Sequence, residues 1–285
     1  MTWASDIPPP DSPLPRYALP RILWRGGLLV ILLTTGLVLH TLLRVLERAF
    51  FGLRRPLSAH LVQRVCRLAL LVLRLPISRA GVPITGQGAM VANHASWLDI
   101  LVLNSASPVY FVSKAEVAGW PGIGLLARVT GTVFIRRDRR AAQVQKLLFE
   151  ARLRAGHRLL FFPEGTSSDG LQVLAFKSTL FEAFFAPELR DFLQIQPVTV
   201  LYHAPEGRDS RFYGWWGDMA LGPHLLRVLA EPRQGRVALV FHPPLRVDDS
   251  AGRKSLAQSC ELAVRAGMAR GTGISEPAQK GVTLQ

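Results

Sequence analysis

Ala89-Met90-Val91-Ala92-Asn93-His94-Ala95-Ser96-Trp97-Leu98-Asp99 joins a short apolar run to a polar turn and then to a helix-like stretch that reaches Leu103. The four apolar residues suit the end of a buried strand. His94 stands five positions before Asp99. Inside one regular helix that separation would point the side chains roughly 140° apart, and they could not touch. If His94 instead occupies the turn and Ser96 caps the helix, Asp99 falls at the third helical position and its carboxylate reaches back. An aspartate bonded to one ring nitrogen fixes the imidazole tautomer and leaves the other nitrogen free to take a proton. Ser96-x-x-Asp99 is equally a plain capping box, and on the heptapeptide alone that bland reading has the stronger claim.

Outward from this turn the pattern is that of an α/β domain. β-rich runs recur at Tyr110–Ser113, Thr132–Ile135, Arg158–Phe162, Ile195–His203 and Arg236–Phe241, with helical patterns at Ile100–Asn104, Arg140–Ala155 and Leu174–Phe185. Strands alternating with helices predict a mixed, largely parallel sheet flanked by helices. A last helix is expected at Lys254–Ala269. The expected organisation is a flexible tail at 1–20, membrane-associated helices at 21–79, a catalytic domain at 80–269 and a disordered tail at 270–285.

The amino-terminal third points to a membrane. Residues 1–20 are proline-rich and lack the pattern of a secretory signal. Gly26–Leu43 holds no formal charge and is close to the length that crosses a hydrocarbon layer of about 30 Å. Thr34, Thr35, Gly36 and His40 interrupt it, so spanning and interface-lying readings both stay open. Leu57–Leu75 carries Arg64, Arg67 and Arg74 at mostly helical spacing, the pattern of a basic amphipathic helix on anionic lipid, or else of one whose apolar stripe packs on the domain; the shared arginine-rich flanks favour lipid. If the first stretch spans, these arginines place the domain on the cytoplasmic side of the inner membrane.

Bulk composition agrees. The 285 residues are 49% hydrophobic, and 34 Lys+Arg against 20 Asp+Glu give a formal charge of +14. Mean hydropathy is +0.22. Such a chain is drawn to polyanions, and its apolarity favours a lipid surface over nucleic acid, for which no motif is present. Cys66 and Cys260 make neither a disulfide framework nor a Cys-x-x-Cys zinc pair, so no metal site is expected.

Two further polar islands follow strands. Gly131-Thr132-Val133-Phe134-Ile135-Arg136-Arg137 ends a strand with two cations, where an open sheet collects anionic ligands. Phe162-Pro163-Glu164-Gly165-Thr166-Ser167-Ser168-Asp169-Gly170 is a turn whose glycines allow close approach to a ligand. Alone, each reads equally well as a solvated loop.

Together the islands resemble the lysophospholipid acyltransferases of the 1-acylglycerol-3-phosphate acyltransferase (PlsC-like) family. The Asn-His-x4-Asp motif is Asn93, His94 and Asp99, and the Gly-x-x-Phe-Ile-x-Arg motif is Gly131, Phe134, Ile135 and Arg137. Phe162-Pro163-Glu164-Gly165-Thr166 and Gln196-Pro197-Val198 complete four blocks in register over roughly residues 80–245.

The resemblance implies a membrane-bound O-acyltransferase in which His94 is general base and Asp99 orients it. Lys114, Arg136, Arg137, Glu164, Gly165 and Thr166 would bind the acceptor headgroup. The acyl group would come from a thioester of coenzyme A or acyl carrier protein, without an acyl-enzyme and without a cofactor. Many family members carry arginine after the Phe-Pro-Glu-Gly-Thr run, whereas Ser167 stands here, and a phosphate would lose a bidentate partner. The Ser-Asp-Gly ending, Phe176-Lys177-Ser178, Trp215-Trp216-Gly217-Asp218 and Pro223-His224-Leu225-Leu226 are similar to the lyso-ornithine lipid O-acyltransferase branch. That acceptor carries an ammonium, which Glu164 or Asp169 could meet. Two readings compete with this one: a noncatalytic basic lipid-binding protein, which gives the His94 and Asp99 pair no purpose, and a serine hydrolase at Ser96, which lacks a Gly-x-Ser-x-Gly elbow.

Overall fold

In the computed structural model, residues 3–5, 14–86, 88–120, 122–135 and 139–272 are described; Arg136 and Arg137 lie outside them. The sheet grows from the strand expected before His94. That strand, β2 (Gly88–Ala92), is buried throughout and pairs in parallel with β5 (Leu159–Phe161) and β6 (Gln194–His203). Beyond β5 come β3 (Tyr110–Lys114) and β4 (Val133–Ile135), both parallel. Beyond β6 come β7 (Arg236–Phe241), antiparallel to it, and β1 (Ile77–Ala80), parallel to β7. β8 (Leu245–Arg246) pairs antiparallel with the start of β6. The described strands thus form one mixed, largely parallel sheet in the order β1-β7-β6-β2-β5-β3-β4.

Alternation along β2 divides the core in two. Ala89 and Val91 join Leu159, Phe161 and Ile195 on one face, covered by α5 (Arg139–Arg154), α8 (Arg253–Thr272) and a 3-10 helix at Ser178–Phe185. Met90 and Ala92 join Leu160, Val198 and Val200 on the other, covered by α2 (Ser58–Leu73), α3 (Asp99–Ala106) and α7 (Leu221–Ala230). Each fully buried large apolar side chain contributes about 1.5–3 kcal/mol.

Leu174–Phe185 departs from the expected helix. The Leu174 N–H donates to Glu164 Oε1 at 3.0 Å, that of Phe176 to Glu261 Oε2 at 2.8 Å and that of Lys177 to the Pro163 carbonyl at 2.9 Å. These donors are committed elsewhere, so winding begins only at Ser178. β1, α4 (Ile123–Thr130) and α7 had no sequence-based expectation, and β1 brings the sheet's edge back to Ile77.

α1 (Ala18–Phe51) is the one helix among the described residues long and apolar enough to cross a membrane. Its buried stripe is polar: Arg25, Gly36, His40 and Glu47 share one side. Each charged or imidazole member completes a neighbouring helix end. Arg25 Nη1 donates to the Leu229 and Glu231 carbonyls at the end of α7, at 3.0 and 2.6 Å. His40 Nε2 lies 3.1 Å from the Val129 carbonyl at the end of α4. Glu47 accepts from the N–H groups of Leu57 and Ser58, at 2.6 and 2.9 Å, at the start of α2. The Arg25 cation meets a carboxyl end and the Glu47 carboxylate an amino end, as the helix dipole favours. The outward faces carry Leu23, Trp24, Val30, Ile31, Val38, Leu39, Leu42, Val45 and Phe50, all exposed.

One face of α2 packs on the domain, while Leu57, Leu68 and Leu71 stay exposed on the other. Ala69, Leu70 and Leu73 are buried in the core beside Leu98 and Leu103, and Arg67 Nε donates to the Ser105 carbonyl at 2.8 Å, joined by Arg79 at 3.2 Å. The stripe packs on the domain because α3 offers it an apolar face and an uncapped carboxyl end.

Candidate active site

β2 ends at Ala92, and the turn that follows is held from every side. Asn93 is zipped to β6: its Nδ2 donates to the Val200 carbonyl at 2.9 Å and its Oδ1 accepts the Val200 N–H at 2.8 Å. The Ala95 carbonyl accepts the Trp215 N–H, and the His94 carbonyl accepts that of Ser168, both at 2.8 Å. The first helical winding starts at Ser96, whose carbonyl accepts the Asp99 N–H at 3.1 Å. α3 itself begins at Asp99 with Leu98 in the cap position, later than a Ser96 cap predicts; the Ser96 hydroxyl accepts the Leu98 N–H at 3.4 Å.

From the start of α3 the Asp99 carboxylate reaches back. Oδ2 lies 2.7 Å from His94 Nδ1 and accepts the N–H groups of Ala95 and Ser96 at 2.9 and 3.1 Å. Oδ1 accepts the Tyr202 hydroxyl at 2.7 Å. Asp99 is fully buried, while the His94 side chain keeps 20% of its surface exposed. The His94 ring stacks on Phe162, 4.0 Å between centroids and 13° from parallel. With Nδ1 donating to the carboxylate, Nε2 carries the lone pair, which is what a general base requires.

Glu164 lies beneath this turn. Its Oε2 accepts the His94 N–H at 3.1 Å and its Oε1 that of Leu174, so the carboxyl straps two loops together. Burial pushes its pKa up to about 8, against the pull of those two donors and helped by the charge of Asp99. Gly165 has φ +69°, and Lys177 Nζ lies where a Cβ on Gly165 would collide. Thr166 Oγ1 accepts the N–H of Trp3 at 3.3 Å.

A family model described as Acyltransferase matches residues 78–203, covering all three islands. A lyso-ornithine lipid O-acyltransferase of Rhodobacter capsulatus is 54% identical over 266 residues, 93% of this chain and 96% of its own. The chain belongs to the PlsC-like lysolipid acyltransferase family. A second lyso-ornithine lipid O-acyltransferase, from Pseudomonas aeruginosa, is 34% identical over 86% of this chain and 92% of its own. The 1-acyl-sn-glycerol-3-phosphate acyltransferase of Neisseria gonorrhoeae is 38% identical over 119 residues, 41% of this chain and 46% of its own. The crystal structure of the 1-acyl-sn-glycerophosphate acyltransferase PlsC from Thermotoga maritima shares the fold, with a TM-score of 0.65 at 19% identity over 91% of this chain and 98% of that one.

In this acyltransferase the predicted residues gather at the carboxyl ends of the parallel strands: His94 after β2, Lys114 at the end of β3, and Glu164, Gly165 and Thr166 after β5. Lys114 pairs in register with Ile135, the last described residue before Arg136 and Arg137. Glu164 is 1% exposed, and each of its oxygens accepts one backbone N–H. Tyr202 was missed; its only signal is a hydroxyl near the end of an apolar strand. The Trp215 and His224 segments surround the same turn. Trp97 Nε1 donates to His224 Nδ1 at 2.9 Å, and burial holds His224 down at about 4, which keeps that nitrogen an acceptor.

Proposed function

We propose that the acyltransferase moves a fatty acyl group from a thioester of coenzyme A or acyl carrier protein to the free hydroxyl of lyso-ornithine lipid, at the cytoplasmic face of the inner membrane. The observation that carries the chemistry is the His94–Asp99 pair at 2.7 Å, with Nε2 of His94 left to accept a proton. His94 Nε2 takes the proton as the acceptor oxygen attacks the thioester carbonyl. The tetrahedral intermediate then expels the thiolate, and the imidazolium returns the proton to sulfur. Asp99 remains ionised and holds the imidazolium between these two transfers.

The acceptor assignment is supported by Ser167, standing where many relatives carry arginine, and by the names of the relatives that align along most of the chain. With Glu164 occupied, Asp169 is the carboxylate we assign to the ammonium; one of its oxygens accepts the Leu171 N–H at 3.1 Å. Lys114, Arg136 and Arg137 would meet the acceptor's carboxylate. Membrane attachment is assigned to the outward face of α1. Because α1 packs along α2 and α7, we read the helix as seated against the domain at one leaflet instead of spanning alone.

The deciding experiment offers purified enzyme one acyl thioester with either lyso-ornithine lipid or lysophosphatidic acid. Faster conversion of lyso-ornithine lipid is expected; preferential conversion of lysophosphatidic acid would move the assignment to a 1-acyl-sn-glycerol-3-phosphate acceptor. Repeating the assay with coenzyme A and carrier-protein thioesters identifies the donor.

A further inference from the structure

At the opposite, amino-terminal ends of β3 and β5 lies a cavity of about 360 Å³ that the acyl-transfer chemistry does not use. Arg54 and Arg55 after α1 and Arg158 before β5 give it a cationic lining, joined by the imidazoles of His60 in α2 and His157. Phe51, Pro56 and Pro108 supply an apolar wall. Tyr110 forms the floor, with the Arg55 guanidinium 5.2 Å and that of Arg152 4.7 Å from its ring centroid, and the His157 ring at 4.3 Å.

Arg55 and Arg152 have a structural duty: their Nη atoms donate to the Thr130 and Gly131 carbonyls, at 3.0 and 2.6 Å. That duty leaves much unanswered. Arg55 Nε, Arg152 Nε, the Tyr110 hydroxyl and both nitrogens of His157 are buried without a hydrogen-bond partner among the described residues. The Leu53 carbonyl lies near His157 but outside hydrogen-bonding geometry. His157 is 3% exposed, and Tyr110 and Arg152 7% each. Neither Arg55 nor Arg152 has a carboxylate within ion-pair distance among the described residues; nearby Glu47 already accepts from Ser58, Leu57 and Arg44. Burial first, and then the charges of Arg152 and Arg55, hold His157 down at about 3, so its ring stays neutral. Buried donors without acceptors are costly, and uncompensated guanidinium charge more so, unless an anion completes them.

We propose that this cavity binds a phosphate group, at a site separate from the acyl-transfer centre. Guanidinium forks match phosphate oxygens, and the neutral Tyr110 and His157 add donors. Two sources present this chemistry: the headgroup of an anionic phospholipid, whose glycerol would rest on the apolar wall beside exposed Phe50 and Phe51, or a soluble phosphate.

The test uses the full chain and two probes, inorganic phosphate and phosphatidylcholine vesicles with or without phosphatidylglycerol. Arg54→Gln/His60→Gln removes one exposed cation and one exposed imidazole of the cavity; Arg233→Gln removes one exposed cation elsewhere and controls for bulk charge. Calorimetry with phosphate and vesicle flotation are expected to show about tenfold weaker binding for the cavity pair alone. Melting temperature and acyl transfer to micellar acceptor should stay unchanged, which separates this site from the one at His94. Loss of phosphatidylglycerol-dependent flotation without any phosphate binding supports the lipid headgroup; loss of phosphate binding with flotation intact supports a soluble phosphate. Equal binding by all three proteins to both probes would overturn the proposal.

Discussion

The Tyr202 hydroxyl donates to Asp99 Oδ1 at 2.7 Å, on the oxygen that His94 does not use. Burial and the Asp99 charge raise the phenol well above its ordinary range, so it stays a donor throughout the working pH range. Asp99 is thus clamped at both oxygens. Tyr202→Phe keeps the ring and deletes the clamp, and about a tenfold fall in kcat is expected, the loss of one hydrogen bond to a charged acceptor. The fall should appear in kcat, with KM and melting temperature little changed. An unchanged kcat would leave Tyr202 a purely structural residue.

His94→Ala removes the base, and roughly a hundred- to ten-thousand-fold lower turnover is expected, with vesicle binding retained. Asp99→Asn should fall comparably, since its amide must present either an oxygen or an NH2 to a cluster built of donors. Turnover by His94→Ala close to that of the wild type would leave the noncatalytic lipid-binding reading standing.

Glu164 makes stability depend on pH in an unusual sense. Its folded pKa of about 8 exceeds the ordinary 4.5, so the folded chain keeps a proton that the unfolded chain releases. The stabilisation is complete below about pH 4.5 and is lost as pH rises through the folded value near 8. Melting temperatures of the wild type relative to Glu164→Gln should therefore decline across that window; a flat difference would contradict the buried, protonated carboxyl. Glu164→Ala should cost about 1–3 kcal/mol for each of the two backbone donors it abandons.

The outward face of α1 offers a direct test of membrane attachment. Val38 and Leu42 are each 59% exposed on the side away from the domain. Val38→Lys with Leu42→Lys should weaken vesicle flotation by about 1–3 kcal/mol per substitution while leaving the fold intact. Unchanged flotation would mean that some other surface meets the lipid.

The strand–turn–helix at Ala89–Asp99 was legible because its chemistry is local: the turn from Ser96 to Asp99 brings the carboxylate back onto His94 and the amides of Ala95 and Ser96. The parallel sheet was legible from the alternation of elements for the same reason. Tyr202 was hidden because its partner is 103 positions away, and nothing in an apolar strand marks which hydroxyl will meet a carboxylate. The strap that Glu164 makes was hidden as well: a turn of glycines and an acid reads as open, and its backbone donors, His94 and Leu174, lie 70 and 10 positions away. The bond from Arg67 to the Ser105 carbonyl was hidden too, because sequence cannot reveal which helix end lies beside it.

The polar stripe of α1 bears on how a water-soluble form of this enzyme would have to be made. Truncation at the end of α1 is the obvious route, yet it would strip the terminal carbonyls of α4 and α7 and the first amides of α2 of their partners together. The enzyme should tolerate hydrophilic repainting of the outward leucines and valines far better than removal of the helix that bears them.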